Sequence, residues 1–216
     1  MMPIGDDDTG RRGTPIVTYA LIALNVLVFL LEMSQGEAFI TQWSFVPARF
    51  LADPGGQFIT IFSSMFMHAS FLHIGGNMLY LWIFGDNVED NFGPVKYLIF
   101  YLLSGIAATF AQLYVSMNSN IPNLGASGAI AGVLGAYLIM FPRARINVLM
   151  GRVMTQTTAL VAIGLWFLLQ LFSSIGSITA AGDTGGIAYM AHIGGFIAGL
   201  LLSFVFRDSS RLASRV

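Results

Sequence analysis

Residues 124–141 read LGASGAIAGVLGAYLIMF, an apolar stretch whose first turn carries Ser127. Small residues recur at every fourth position after it, at Gly128, Gly132 and Ala136. This spacing makes one face of a membrane helix thin enough for close packing against another helix. A serine in such a helix serves packing more often than catalysis, so its role depends on the residues that face it.

The composition predicts an all-α membrane protein with several spans. Of 216 residues, 56% are hydrophobic and 10% charged, and the mean hydropathy is +0.74, more apolar than a soluble domain of this length requires. The chain has no cysteine, which excludes disulfides and thiolate chemistry. The net charge of −1 argues against a nucleic-acid partner.

Six apolar stretches predict a bundle of six transmembrane helices. Residues 1–14 are expected to form a short cytoplasmic tail rather than a signal peptide. Residues 15–206 would form the membrane domain, and residues 207–216 a cytoplasmic C-terminal tail. The six predicted spans are residues 16–33, 71–88, 97–115, 127–141, 157–174 and 187–206.

The basic residues predict the orientation of this bundle. With six spans, both termini lie on the same side of the membrane. All the lysines and arginines except Arg49 also fall on that side, so the positive-inside rule places both termini in the cytoplasm. We therefore expect a multi-pass protein of the cell membrane, and the minimal architecture favours a prokaryotic cytoplasmic membrane. The residues on the predicted inner side are Arg11, Arg12, Lys96, Arg143, Arg145, Arg152, Arg207, Arg211 and Arg215.

The helix that begins at Ser127 is too short to cross the bilayer. Its roughly 15 residues extend about 22 Å, against a hydrocarbon core of about 30 Å. Because arginines anchor its inner end, Ser127 should lie about 8 Å below the outer boundary, in a recess open to the outside. His192, about five residues into the sixth span, should lie at a similar depth, about 7.5 Å.

Polar side chains in the second span are candidates for a site. His73 and Asn77 are four residues apart and share one helix face, and polar groups within a span are costly unless they have partners. His68 and His73 are poorly spaced for one metal ion, and no HExxH motif occurs, so no metal site is expected. Gln170 is the one strongly polar side chain of the fifth span, where we expect no site.

Span direction brings these residues to one depth. The second, fourth and sixth spans all run inward, so their early residues share the outer third of the membrane. We predict Ser127 as the nucleophile and His192 as its general base. The side chains of His73 and Asn77, with the Ser127 backbone N–H, would form the oxyanion hole. No carboxylate lies at this depth, so we predict a dyad rather than a triad.

These motifs, in this order on six spans, resemble those of the rhomboid intramembrane serine proteases. The resemblance implies cleavage of single-pass membrane proteins within or beside their transmembrane segment, in the lipid bilayer and without a cofactor. It also implies a cut after a small residue. His68 would be structural and near the site, as would Gly125 and Gly128. The matching motifs are Gly125-Ala126-Ser127-Gly128, His73 with Asn77, and Ala191-His192-Ile193-Gly194-Gly195.

One departure from the family concerns the general base. Some members carry an aromatic residue one turn after the serine, stacked on the catalytic imidazole, but Ala131 occupies that position here. We therefore expect a different orientation of His192, set by packing alone.

Two other classes of protein remain as alternatives. A catalytically silent rhomboid-like protein could bind client helices, but such proteins lose the serine or the histidine, and this chain retains both. A transporter could use His73 and His192 as a proton relay, but the two halves of the chain show no internal repeat. The sequence does not specify the oligomeric state.

Overall fold

The computed structural model describes residues 1–7, 10–179 and 188–213. Most of these residues are helical, and three short strands accompany the helices. The helices are α1 (Ile16–Gln35), α2 (Glu37–Trp43), α3 (Pro47–Ala52), α4 (Pro54–Gln57), α5 (Thr60–Ser63), α6 (Phe71–Phe92), α7 (Pro94–Val115), α8 (Ser127–Met140), α9 (Ala159–Thr179), α10 (Tyr189–Phe206) and α11 (Ser209–Ala213). The strands are β1 (Met2–Gly5), β2 (Arg145–Met150) and β3 (Val153–Thr158).

Among the described residues, α1, α7 and α10 are long and apolar enough to cross a membrane. A fourth span results if residues 54–66 and α6, which meet at an angle of 78°, are counted together. Two shorter apolar helices are α8 and the part of α9 that covers residues 159–174. A mostly helical, multi-pass membrane protein is thereby confirmed, while the count of six spans and the orientation of the termini stay predictions.

Capping residues explain where α6 begins and ends. The Ser70 hydroxyl accepts a hydrogen bond from the His73 backbone N–H at 3.1 Å, which caps the first turn. Gly93 ends the helix with a φ of +80°, and Pro94 starts α7 directly after it. The sharp turn brings α7 back beside α6, and the capped end sets the position of His73.

Backbone-to-backbone packing holds α8 against α10. A Cβ atom added at Gly195 would lie 2.0 Å from the Gly128 carbonyl oxygen, and one at Gly199 would lie 2.1 Å from the Gly132 oxygen. No larger residue fits at either contact. The small-residue face predicted on the Ser127 helix thus packs directly against glycines of α10, and this contact brings the first turns of α8 and α10 side by side.

A buried carboxylate joins α6 to the beginning of α1. Glu89 accepts hydrogen bonds from the backbone N–H groups of Val17 and Thr18, at 2.9 and 2.7 Å, and from the Thr18 hydroxyl at 2.8 Å. The first amides of a helix lack partners within it, so this carboxylate satisfies them. The contact fixes the position of α1 relative to α6.

A three-stranded antiparallel sheet corrects the expectation of an all-α fold. β2 and β3 form a hairpin whose two-residue turn is Gly151–Arg152, and β1 pairs with the other edge of β2. Gly151 has a φ of +62°, as the turns of tight hairpins require. Ile146 and Val148 alternate along β2 and are fully buried. The hydrophobic period of two selects a strand here rather than an extension of α8.

The N-terminal segment, expected as a polar tail, packs against the same end of the bundle. Tyr137 of α8 donates its hydroxyl proton to the Asp6 carboxylate at 2.6 Å, and the Asn87 side chain donates to it at 3.0 Å. Arg11 forms an ion pair with Asp86, which is buried in α6. These contacts tie the first described residues to α6 and α8.

Candidate active site

Ser127 is the first residue of α8, and its hydroxyl contacts a histidine from another helix. The distance between Ser127 Oγ and His192 Nε2 is 2.8 Å, which is a hydrogen bond. His192 lies in the first turn of α10, and both side chains are half-buried. The structure thus brings together the two residues predicted as nucleophile and base.

The second ring nitrogen of His192 contacts a residue of α9, a helix in which no site residue was expected. His192 Nδ1 lies 2.8 Å from Oε1 of Gln170, in the middle of α9. The Trp166 ring, one turn earlier on α9, lies 6.0 Å from the imidazole, measured between ring centroids. The expectations that α9 carries no site residue and that packing alone orients His192 are therefore wrong.

These two contacts determine which nitrogen of His192 carries the proton. A neutral imidazole has one N–H donor and one acceptor nitrogen. The Gln170 oxygen can only accept, so Nδ1 donates to it. Nε2 is then left with a lone pair that accepts the Ser127 hydroxyl proton. This tautomer is the one that a general base for Ser127 requires.

His73 has the opposite tautomer and packs against Gly125, close to Ser127. The backbone N–H of Ala69 donates to His73 Nδ1 at 3.4 Å, so the ring proton is on Nε2. A Cβ atom added at Gly125 would lie 2.9 Å from His73 Nε2 and 3.5 Å from Ser127 Oγ. Gly125 also has a φ of +134°, so both its backbone conformation and the space available require glycine. Only a residue without a side chain leaves room for the His73 ring against this backbone, two residues before Ser127.

Asn77 lies one turn after His73 on α6 and is buried. Within the described residues, its side-chain nitrogen Nδ2 is buried and has no hydrogen-bond partner. Buried donors are rarely left unpaired, and an unpaired one calls for a specific explanation. A ligand oxygen that appears during a reaction would supply the missing acceptor.

His68 contacts the candidate site through His73. The two rings meet edge to face with their centroids 5.0 Å apart, and the His68 backbone N–H donates to the Glu32 carboxylate at 3.0 Å. In residues 1–7, 10–179 and 188–213, no group of three or more His, Cys, Asp or Glu side chains could hold a metal ion. His68 therefore packs behind His73, where it limits the rotation of that ring.

A small cavity of about 40 Å³ opens beside Ser127. It lies between α7, α8, the start of α10 and the segment before α6, and Ser127 lines it. The lining includes Phe45, Ser64, Asn123, Gly125, Ser127 and Ala191.

The sequence is similar to a family of known membrane proteins. A family model for the Rhomboid domain matches residues 55–209, a range that contains Ser127, His192, His73, Asn77 and Gln170. Rhomboid protein 1, mitochondrial, of Saccharomyces cerevisiae is 30% identical over 190 residues, which cover 86% of this chain and 51% of the yeast protein.

Two bacterial relatives come from Bacillus subtilis. Rhomboid protease GluP is 31% identical over 194 residues, which cover 89% of this chain and 36% of that protein. Putative rhomboid protease YdcA is 27% identical over 191 residues, which cover 88% of each chain. The chain thus spans about half of the yeast protein, little more than a third of GluP and most of YdcA. On the family model and these matches together, the chain belongs to the rhomboid family.

Proposed function

We propose that this chain is an intramembrane serine endopeptidase that cleaves the transmembrane segments of single-pass membrane proteins. Ser127 would be the nucleophile and His192 the general base, with an oxyanion hole formed by His73, Asn77 and the Ser127 backbone N–H. The observation that carries the proposal is the 2.8 Å contact between Ser127 Oγ and His192 Nε2, with the His73 ring packed against Gly125, two residues before the same serine.

In the first step, Ser127 Oγ attacks the carbonyl carbon of the scissile peptide while His192 Nε2 takes the hydroxyl proton. The carbonyl oxygen becomes an oxyanion, which the His73 N–H and the Asn77 amide would stabilise. Buried, preorganised donors act strongly because they need not reorganise when the charge develops. The unpaired Nδ2 of Asn77 supports this role.

In the second step, the tetrahedral intermediate collapses to an acyl-enzyme. The C–N bond breaks, and His192 returns its proton to the leaving amine. A water molecule then attacks the ester, again with His192 as the base, which releases the new carboxylate and restores Ser127. Water must therefore reach Ser127, and the open cavity beside it supports such access.

The proposal also includes the position of the protein in the membrane. Both termini would lie in the cytoplasm of a prokaryotic cell, with the recess at Ser127 open to the extracytoplasmic side. The distribution of basic residues supports this orientation. The partners would be substrate helices and the surrounding lipid.

A fluorophosphonate probe tests the nucleophile. The probe should label the purified chain, and Ser127→Ala and His192→Ala should each abolish the labelling, because a serine without its base is a weak nucleophile. Ser34→Ala is a matched control, since Ser34 is exposed near the end of α1 and should not affect labelling. Cleavage of a single-pass reporter in proteoliposomes should follow the same pattern.

Two outcomes would contradict the proposal. Undiminished labelling of Ser127→Ala would show that another residue reacts with the probe. A folded wild-type chain that neither takes the label nor cleaves any reporter would favour the silent client-binding alternative.

A further inference from the structure

We propose that Gln170 is a positioning residue that holds His192 in the tautomer and orientation needed to accept the Ser127 proton. This inference deepens the proposed function and rests on it. Gln170 does not touch Ser127 in any contact that the structure describes, so it would act only through the imidazole. Its contribution comes from α9, a third helix beside the two that hold Ser127 and His192.

If His192 is the base for Ser127, a hydrogen-bond acceptor must lie next to its Nδ1, where the Gln170 oxygen is found. His192 can be a base toward Ser127 only if Nε2 has a lone pair, which puts the ring proton on Nδ1. Gln170 Oε1 lies 2.8 Å from Nδ1 and accepts that proton. Without this acceptor, the tautomer with the proton on Nε2 would gain population, and that tautomer cannot take a proton from Ser127.

The surroundings of His192 provide no equivalent support from α8. Ala131, one turn after Ser127, is fully buried but has only a methyl group to offer the ring. Trp166 contacts the imidazole from α9, the helix that also carries Gln170. Contacts from α9 therefore replace a stacking partner on α8, and only Gln170 among them can fix the ring proton.

A neutral amide suits this position better than a carboxylate would. When His192 takes the serine proton, the ring becomes an imidazolium with two N–H donors, and the Gln170 oxygen keeps its hydrogen bond to Nδ1. A carboxylate in the same place would stabilise the imidazolium more strongly, but ionised side chains within a span are costly. The amide orients the ring without placing a permanent charge in α9.

The test compares four variants of the full chain reconstituted in lipid. Gln170→Met keeps the volume but removes the acceptor, and Gln170→Asn keeps the amide but shortens its reach. Gln170→Glu keeps an acceptor oxygen at the same distance. Leu168→Ala is the matched control, because Leu168 lies on the same helix and is largely exposed. The readouts are kcat and KM for a transmembrane reporter, and the rate of fluorophosphonate labelling.

Gln170→Met and Gln170→Asn should each lower kcat and the labelling rate by about 10- to 100-fold with KM unchanged, as expected when a catalytic group is held about 1 Å out of place. Gln170→Glu should keep most of the wild-type kcat, because its carboxylate oxygen can still accept from His192 Nδ1. Leu168→Ala should behave as wild type. A role in packing alone predicts the opposite order, because methionine would then be tolerated better than glutamate.

Three results separate this inference from the proposed function. If Gln170→Met and Gln170→Asn label at the wild-type rate, the inference is overturned while the protease survives. If Gln170→Glu is as slow as Gln170→Met, an acceptor is not what the position supplies, and the inference also fails. If the wild type itself shows no Ser127-dependent labelling, the proposed function fails first.

Discussion

Two histidines that flank Ser127 hold their ring protons on opposite nitrogens. The Gln170 oxygen keeps the proton of His192 on Nδ1, and the Ala69 backbone N–H keeps that of His73 on Nε2. One ring therefore presents a lone pair to Ser127, whereas the other presents an N–H near it. The same residue type would thus suit the two tasks proposed for it, a base and an oxyanion donor, because of what contacts its second nitrogen.

Removal of either proposed oxyanion donor should slow the reaction. His73→Ala and Asn77→Ala should each lower kcat by about 10²- to 10³-fold, the usual effect of removing one such donor. KM should change little, because the donors act on a charge that forms only in the transition state. Steady-state cleavage of a transmembrane reporter measures both constants.

Asn118→Ala is the control for this series, because Asn118 is exposed in the connection between α7 and α8. If His73→Ala and Asn77→Ala both keep the wild-type kcat, these side chains do not take part in the reaction. A loss confined to KM would instead place them in substrate binding.

The sequence predicted four of the side chains at this site and missed the fifth. Ser127, His73, Asn77 and His192 lie early in apolar stretches that run in one direction, so their depths could be compared. Gln170 is a single amide in a bulky apolar helix, and its place opposite His192 depends on the rotation of α9, which periodicity does not determine. Two signals were available in the sequence: Gln170 is a polar amide within an apolar span, and Ala131 leaves the imidazole without the aromatic neighbour found in some family members.

At the scale of helices, the contact between α8 and α10 sets the distance from Ser127 to His192. Both residues lie in the first turn of their helix, a few residues from the closest glycine contact. Because no side chain separates the two backbones there, the helices cannot rotate or shift without a clash. The dyad distance follows from the packing of backbones.

A methyl group at this contact should therefore disturb both stability and the site. Gly195→Ala would place a Cβ atom 2.0 Å from the Gly128 oxygen, and overpacking of this kind destabilises by about 1–3 kcal/mol. It should also reduce fluorophosphonate labelling, because His192 would move away from Ser127. Thermal unfolding in detergent, followed by labelling, measures both effects.

Gly164→Ala in α9 is the matched control, since no atom lies within 4 Å of an added Cβ there. Alanine in a helix is more favourable than glycine by roughly 0.5–1 kcal/mol, so this variant should be as stable as wild type or slightly more. An unchanged melting temperature in Gly195→Ala would contradict the backbone packing described here.

The strands were harder to predict than the helices. β1 has only four residues and pairs with β2 more than 140 positions later, so nothing local indicates that it is a strand. The hairpin did carry a local signal, because Ile146 and Val148 alternate before the glycine turn. The arginines in the same stretch predict a cytoplasmic connection between two spans. That prediction does not distinguish a loop from a strand, so it gave no weight to the alternation of Ile146 and Val148.

At the scale of the whole molecule, charge distinguishes the two ends of the bundle. Among the basic residues that the structure describes, Arg49 alone lies on the end that carries Ser127, and the others lie on the end that holds the sheet. The N-terminal segment also packs at that second end through Asp6 and Arg11. The orientation proposed above follows from this asymmetry.

Cysteine labelling tests the orientation, and the absence of native cysteines makes each introduced thiol unique. Thr41→Cys in α2 and Arg152→Cys in the hairpin turn both replace exposed residues. In intact cells, a membrane-impermeant maleimide should label only Thr41→Cys. Arg152→Cys should react after the membrane is permeabilised.

The cysteine-free wild type should remain unlabelled in both conditions. If Arg152→Cys is labelled in intact cells and Thr41→Cys is protected, the topology is the reverse of the one proposed. The recess at Ser127 would then open toward the cytoplasm.

β3 continues into α9 with no loop between Thr158 and Ala159, so one end of α9 is anchored to the sheet. Gln170 lies eleven residues beyond this anchor, about 16 Å along the helix axis. A tilt of α9 by roughly 10° about the anchor would move the amide by about 3 Å over that lever arm. A displacement of that size would break the hydrogen bond to His192 Nδ1, so the angle of a single helix would decide whether the proposed base keeps its orientation toward Ser127.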